Sequence, residues 1–125
     1  MSDISFEVSG KTNFPTKYDG EVFFLKEKWD RICIEPERYY YRLNGEKVST
    51  TLINPDYVRY NRNYENQVIY YKQFDSYMIA ENVTAPIPWV KAMAVVVDVV
   101  QKKVCAVYPT DKIKSGKEYK GQLEQ

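Results

Sequence analysis

The longest apolar run of the chain constrains its fold most strongly. Residues 92–97 read Ala-Met-Ala-Val-Val-Val, and Val99 and Val100 follow after Asp98. Because β-branched residues favour strands and no polar residue alternates within the run, the pattern predicts a central strand, buried on both faces, over about residues 91–100. Asp98 should then face the wetter side of the sheet or find a partner, since an unpaired buried carboxylate is costly.

The residues after this run predict a second strand and a candidate site. A polar turn, Gln-Lys-Lys, leads into another apolar stretch. We therefore expect an antiparallel strand over residues 103–108, ended by Pro109, which has no N–H to give to a strand ladder. Residues 110–116, Thr-Asp-Lys-Ile-Lys-Ser-Gly, are polar and cationic. Because loops that follow strands often carry function, this stretch is a candidate site.

The N-terminal part of the chain predicts an arm, a strand and a helix. Ile4, Phe6 and Val8 have strand spacing and are followed by loop-forming residues up to residue 20, which predicts a short strand or extended arm and then a loop. Residues 21–26 are apolar enough for a strand. Apolar spacing then predicts a helix over about residues 25–34, before Pro36.

Residues 37–53 allow two interpretations. Asn44-Gly45 is typical of a type I′ turn and predicts a β-hairpin. Alternatively, one helical turn ends at Gly45 and a helix follows over residues 46–53, stopped by Asn54-Pro55. We prefer the second, for a reason given with the family resemblance below. Further along, the pattern predicts strands over 57–62 and 67–74, and a loop or short edge strand over 78–87.

The order of these elements predicts the fold class. Helices come first and about four antiparallel strands follow, which indicates an α+β fold with N-terminal helical segments packed on a curved antiparallel sheet. A length of 125 residues suits a single domain. We divide it into an N-terminal arm (1–20), a core (21–116) and a charged, frayed tail (117–125).

Composition excludes several kinds of site. The chain has no histidine, which removes the commonest general base and the usual zinc ligand. With only two cysteines, Cys33 and Cys105, we expect reduced thiols, no metal site and no cofactor. The net charge of +1 comes from 18 basic and 17 acidic residues, so any nucleic-acid site must be a local patch.

Hydropathy and the N-terminus indicate where the chain resides. Lys91 and Asp98 interrupt the longest apolar run, which is far shorter than the roughly 20 residues that a membrane helix needs. No apolar secretory segment opens the chain. We therefore expect a cytoplasmic protein that does not bind a membrane.

Tyrosines occur beside basic residues in several places. The chain has 12 tyrosines, with Tyr57 before Arg59, Tyr60 before Arg62, and Tyr71 before Lys72. A tyrosine offers a stacking face and a hydroxyl, which suits RNA bases and phosphates. The alternative is that most of these tyrosines are half-buried strand residues.

Several short blocks, taken in order, resemble a known family. They cover residues 29–32 (Trp-Asp-Arg-Ile), 35–37 (Glu-Pro-Glu), 52–59 (Leu-Ile-Asn-Pro-Asp-Tyr-Val-Arg), 70–72 (Tyr-Tyr-Lys), 95–97 (Val-Val-Val) and 108–116. Together they resemble the phage-associated barnase/EndoU/colicin/RelE-like nucleases, over roughly residues 22–116. Members have helices before a curved antiparallel sheet, which is why we prefer a helix at 46–53. They are typically metal-independent ribonucleases, often toxins, that use the RNA's own 2′-OH as the nucleophile.

The resemblance implies a set of site residues, with departures. The family usually has histidines where Arg31 and Glu35 stand, and a threonine near Ala106. Either the chemistry has passed to Arg, Lys and Tyr, or this chain binds RNA without cutting it. We therefore expect a metal-independent endoribonuclease with RNA as substrate and an immunity or antitoxin protein as partner, or a non-catalytic RNA- or protein-binding module on the same fold. The implied catalytic residues are Arg31, Arg59, Tyr71, Lys72, Thr110 and Lys112.

Overall fold

The structure is a computed structural model that describes residues 3–121, without the side chain of Tyr39. The strands are β1 (Lys11–Pro15), β2 (Glu21–Leu25), β3 (Tyr57–Tyr60), β4 (Gln67–Lys72), β5 (Tyr77–Ala80), β6 (Val83–Ala85), β7 (Ala92–Asp98) and β8 (Lys103–Thr110). The helices are α1 (Lys26–Ile32), α2 (Tyr39–Leu43) and α3 (Glu46–Ile53), with a 3-10 turn at Pro36–Arg38 before α2.

Six of the strands form one mixed sheet, in the order β1-β2-β8-β7-β4-β3. All neighbours are antiparallel except β2 and β8, which are parallel and pair at Phe23 and Lys103. β5 and β6 form a separate antiparallel hairpin. The sheet is thus built around the central strands predicted from the apolar run, with the N-terminal strands added at one edge.

The predicted fold class is wrong. We expected helical segments packed on an antiparallel sheet of about four strands, but strands outweigh helices, at 36% against 19% of residues, and the sheet has six strands and mixed direction. The difference arises because β1 and β2 join the sheet through the parallel pair of Phe23 with Lys103. That pairing joins residues far apart in the chain, and no local pattern in the sequence indicates it.

Two prolines lie within strands, although we expected a proline to end or prevent a strand at each position. Pro15 ends β1, which lies at the sheet edge beside β2, so its missing N–H is not needed by a second neighbour. β8 continues through Pro109, which is paired with Met93 of β7. Since β2 pairs with β8 only at Lys103, the proline lies where β8 has a described strand on one side alone. The predicted strand end at Pro109 and the predicted loop before residue 20 are therefore wrong.

Several other local predictions agree with the structure, whereas the loop or short edge strand predicted over 78–87 is instead the separate β5–β6 hairpin. α2 and α3 flank Gly45, as in the preferred interpretation of residues 37–53. Strand β7 lies between β8 and β4. The carboxylate of Asp98 accepts hydrogen bonds from the backbone N–H groups of Val100 and Gln101, at 3.0 and 2.8 Å. The expected partner for this carboxylate is therefore confirmed.

The two sheet faces are covered differently. On the helix face, side chains of β4 and β7 such as Tyr70, Val95 and Val97 pack in the main core with Trp29 of α1 and Leu52 of α3. The opposite face, here called the second face, carries a smaller cluster centred on buried residues of the same two strands: Ile69, Tyr71, Ala92, Ala94 and Val96. No helix within residues 3–121 is long and apolar enough to cross a bilayer.

The outer edge of β3 is covered by residues 117–119, here called the edge segment. The N–H of Tyr60 donates to the carbonyl of Lys117 at 3.0 Å, and the N–H of Tyr119 donates to the carbonyl of Val58 at 2.9 Å. The Tyr119 side chain is buried. The predicted fraying is therefore wrong for these three residues, whereas residues 122–125 of the predicted tail lie outside the described part of the chain.

A buried carboxylate connects three separate parts of the chain. Asp19, in the turn between β1 and β2, is 5% exposed. It accepts hydrogen bonds from the hydroxyl of Tyr70 on β4, at 2.6 Å, and from that of Tyr119, and its backbone carbonyl accepts one from Lys102 Nζ at 3.1 Å. Burial, and then these bonds to Asp19, raise the pKa of both tyrosines, so both remain protonated donors at neutral pH.

Candidate functional site

One irregular stretch spans the second face, and we name it the crossing segment (residues 111–116). It leaves β8 at Thr110 and continues into the edge segment on β3, and β7 and β4 lie between these two strands in the sheet. Ile113 packs against the cluster of the second face. Arg59 Nη1 donates to the Gly116 carbonyl at 3.0 Å. The segment therefore lies over the middle of this face.

Two polar groups beneath the crossing segment have no hydrogen-bond partner among the described residues. They are the hydroxyl of Tyr71 and Nε of Arg59, and both atoms are buried. Tyr71 itself is 1% exposed. The backbone of Lys114 lies near its hydroxyl without completing a hydrogen bond. Most buried polar groups in folded proteins are paired, and of the three buried side-chain N or O atoms without a partner in residues 3–121, these two lie on the second face.

Burial also sets the protonation state of Tyr71. Loss of solvent raises the pKa of its hydroxyl, while the Lys114 backbone and the positive charge of Arg59 oppose that rise. Burial also raises the pKa of Tyr108 on β8, which lies on the other side of β7 from β4. Both phenols are therefore neutral near pH 7, so they can donate a hydrogen bond but are not bases.

The outer surface of the crossing segment forms one wall of a basic groove. The groove has a volume of about 420 Å³ and is lined by Arg62, Lys112, Ile113, Lys114 and Ser115. Arg62 belongs to the β3–β4 loop, whereas the other four belong to the crossing segment. The three basic side chains are exposed, and none of them forms an ion pair with another residue in the range 3–121. Their charge is therefore available to a ligand.

Four of the six predicted site residues lie on or beside the second face. Arg59 and Tyr71 are beneath the crossing segment, and Lys112 lines the groove. Thr110 holds the start of the segment, because its hydroxyl donates to the Lys112 carbonyl at 2.9 Å and accepts from the Lys112 N–H at 3.3 Å. These four residues are contributed by three strands and one loop.

The other two predicted residues lie elsewhere. Lys72 follows Tyr71 directly in β4, so its side chain points to the other face; its Nζ lies 3.8 Å from the Asp56 carboxylate and 5.9 Å from the Phe74 ring centre. Arg31 lies on α1, where its guanidinium is 2.7 Å from Glu27 and largely exposed. Neither residue is placed with the four that lie on or beside the second face.

Sequence reasoning missed two of the groove's cations, Arg62 and Lys114. The signal for Lys114 is present in the sequence, because the residue belongs to the polar and cationic stretch 110–116. Arg62 could be assigned only once the β3–β4 loop was known to lie beside that stretch. Within residues 3–121, no group of three or more Cys, Asp or Glu residues is placed to hold a metal ion.

The chain matches no family model, no curated protein and no solved structure. The resemblance to the barnase/EndoU/colicin/RelE-like nucleases therefore rests on the sequence blocks alone.

Proposed function

We propose that this chain is an RNA-binding module that contacts the RNA backbone through the basic groove. The observation that carries the proposal is the convergence of three unpaired cations, Arg62, Lys112 and Lys114, on one groove. A guanidinium can hold a phosphate through two parallel hydrogen bonds, and the lysines add point charges. Since the net charge of the whole chain is only +1, this local charge is what would attract a polyanion.

Exposed aromatic side chains on β3 and in the β3–β4 loop favour a single-stranded nucleic acid over other polyanions. Tyr64 is 60% exposed and lies in the same β3–β4 loop as Arg62. Tyr57 is 41% exposed, and the Arg59 guanidinium lies 5.1 Å from its ring centre. Unpaired bases stack on such rings while cations contact the backbone, which is the usual combination in proteins that bind single strands. The family resemblance supports RNA in particular, and a cytoplasmic location would give access to it.

Metal-independent RNA cleavage is our second proposal. It is supported by the placement of Tyr71 beside Arg59, because a neutral phenol could protonate a leaving oxygen and a guanidinium could stabilise the phosphate. Solvent water or hydroxide would take the 2′-OH proton as the 2′-oxygen attacks phosphorus, since the pKa of Tyr71 is raised and Lys72 lies on the other face. An active ribonuclease would also need an immunity or antitoxin partner, whereas a binding module would not.

Fluorescence anisotropy with a labelled, mixed-sequence 12-nucleotide RNA tests the first proposal. With three backbone contacts, the logarithm of the binding constant should fall with the logarithm of salt concentration with a slope of about −2, so binding weakens about 20-fold from 50 to 200 mM salt. The variants R62A, K112A and K114A should each flatten this slope by about 0.7 and bind about threefold to tenfold more weakly at low salt.

Matched controls come from cations outside the groove. R31A removes an exposed arginine of α1, and K11A removes an exposed lysine of β1, at the opposite edge of the sheet from β3. Both should bind RNA as the wild type does. Equal weakening by R31A and R62A would refute the groove as the binding site.

Gel analysis of the same samples, with EDTA present, tests the second proposal: shortened RNA would support cleavage, and intact RNA at every pH would reject it.

A further inference from the structure

We propose that the crossing segment is a cover, which lifts from the second face when a polyanion binds and thereby adds Arg59 to the binding surface. This inference rests on the proposed function, because the groove is formed largely by the cover itself. It extends that function by giving the binding surface a closed form and an open form.

The cover is fixed at both ends but lightly held between them. Thr110 belongs to β8, and the edge segment is held on β3 by backbone hydrogen bonds of 2.9 and 3.0 Å. Between these anchors, Asp111, Lys112, Lys114 and Ser115 are exposed. The contacts to the sheet come from the side chain of Ile113 and from the Gly116 carbonyl that accepts from Arg59. The Lys114 backbone also lies near the Tyr71 hydroxyl. A stretch with few buried contacts opens at low cost.

With the cover closed, two buried polar groups beneath it lack a hydrogen-bond partner among residues 3–121. The Tyr71 hydroxyl and Arg59 Nε are buried without partners beneath the cover. Lifting the cover would let water or a ligand bond to both groups, which offsets the loss of the Ile113 contact and of the Arg59 bond to Gly116. The closed and open forms are therefore close enough in free energy for a ligand to select between them.

The groove connects ligand binding to this opening. Arg62 lies in the β3–β4 loop, but Lys112 and Lys114 move with the cover. A ligand shifts an equilibrium only if it binds one form more tightly. The open form exposes the guanidinium of Arg59 as an additional cation near the groove, so a polyanion should prefer it.

Amide hydrogen exchange on the free protein tests the opening itself. Ile113→Ala removes the main apolar contact of the cover and should speed exchange of the amides at 112–116. Ile53→Ala, at a half-exposed position on α3, is the matched control and should leave these amides unchanged. Gly116→Ala should slow their exchange by stiffening the cover; its added Cβ would lie 3.7 Å from the Tyr60 carbonyl oxygen, an ordinary contact.

Binding measurements test the link to the ligand, with two probes: the 12-nucleotide RNA and inorganic polyphosphate. Ile113→Ala should tighten binding on the order of fivefold, the lower end of typical coupling between sites, and Arg59→Ala should abolish that gain. Either polyanion should speed exchange at 112–116 in the wild type, because it holds the cover open.

The outcomes separate the cover from the proposed function. If RNA fails to bind but polyphosphate binds and speeds amide exchange at 112–116, RNA binding is refuted and the opening of the cover by a polyanion is supported. If RNA binds while Ile113→Ala changes neither the affinity nor the amide exchange, the opening of the cover is refuted and RNA binding at the groove is supported. Slower exchange at 112–116 on binding would also overturn the cover, since it means that the ligand closes the segment.

Discussion

The bond from Tyr119 to the buried carboxylate of Asp19 should contribute substantially to stability. Tyr119→Phe removes only the hydroxyl, because the ring can keep its edge contacts with Tyr18 and Tyr60, whose ring centres lie 6.1 and 5.4 Å away. The variant should fold, with Asp19 retaining its hydrogen bond from Tyr70. The change therefore isolates one hydrogen bond to a charged acceptor.

The expected loss is about 2–3 kcal/mol. A hydrogen bond to a charged group contributes about 1.5–3 kcal/mol, and the upper part of this range applies because Asp19 is only 5% exposed, so water cannot readily replace the lost donor. For a chain of 125 residues this corresponds to a drop in Tm of about 6–15 °C. Tyr64→Phe, which removes a hydroxyl from a side chain that is 60% exposed, should change stability by less than about 0.5 kcal/mol.

Urea denaturation followed by tryptophan fluorescence measures the change, since Trp29 is buried in the core. A double-mutant cycle with Asp19→Asn should give a coupling energy of at least about 1 kcal/mol between the two side chains. A Tyr119→Phe variant as stable as Tyr64→Phe, or a coupling energy near zero, would show that the buried bond contributes nothing and that this reasoning is wrong.

Two further predictions concern pH and core packing. The raised pKa values of Tyr70 and Tyr119 mean that the unfolded chain releases these protons first, above the ordinary tyrosine pKa of 10.0. Burial also raises the pKa of Cys33 from 9.0 to about 11, so the free energy of unfolding should begin to fall near pH 9 and fall more steeply above pH 10. Tyr70→Phe should reduce the slope above pH 10 by up to about 1.4 kcal/mol per pH unit, measured by urea denaturation between pH 9 and 11. Leu52→Ala, at a fully buried position, should cost about 2–5 kcal/mol, and Ile53→Ala, at a half-exposed one, much less.

Elements bounded by strong local signals could be predicted from the sequence. α3 begins after Gly45 and ends before Pro55, residues that favour helix ends. β7 could be placed because its run of valines suits a strand buried on both faces. Among the predicted site residues, Tyr71 and Lys72 cannot both lie on one face, because adjacent residues of a strand point to opposite faces. The strand prediction alone therefore excludes one of the two.

Features that depend on distant pairing could not be predicted. β1 contains Asn13 and Pro15, which locally favour a loop, and only its place at the sheet edge makes a strand favourable there. Asp19 precedes Gly20 and has the sequence of an ordinary turn, so nothing local indicates that its carboxylate is buried. The groove depended on the β3–β4 loop lying beside the crossing segment, which follows from the strand order.

The bond between Asp19 and Tyr119 also sets an order of events during synthesis. The two residues are 100 positions apart, so at about 5–20 residues per second the ribosome needs about 5–20 s to make the second after the first. Throughout that time the carboxylate lacks one of its two phenolic donors, and β2 lacks β8 until Lys103 has been made. The N-terminal hairpin should therefore remain solvated on the nascent chain and dock late. Contacts between residues so far apart in the chain also slow refolding of the complete chain, because closing long loops costs entropy before the contacts form.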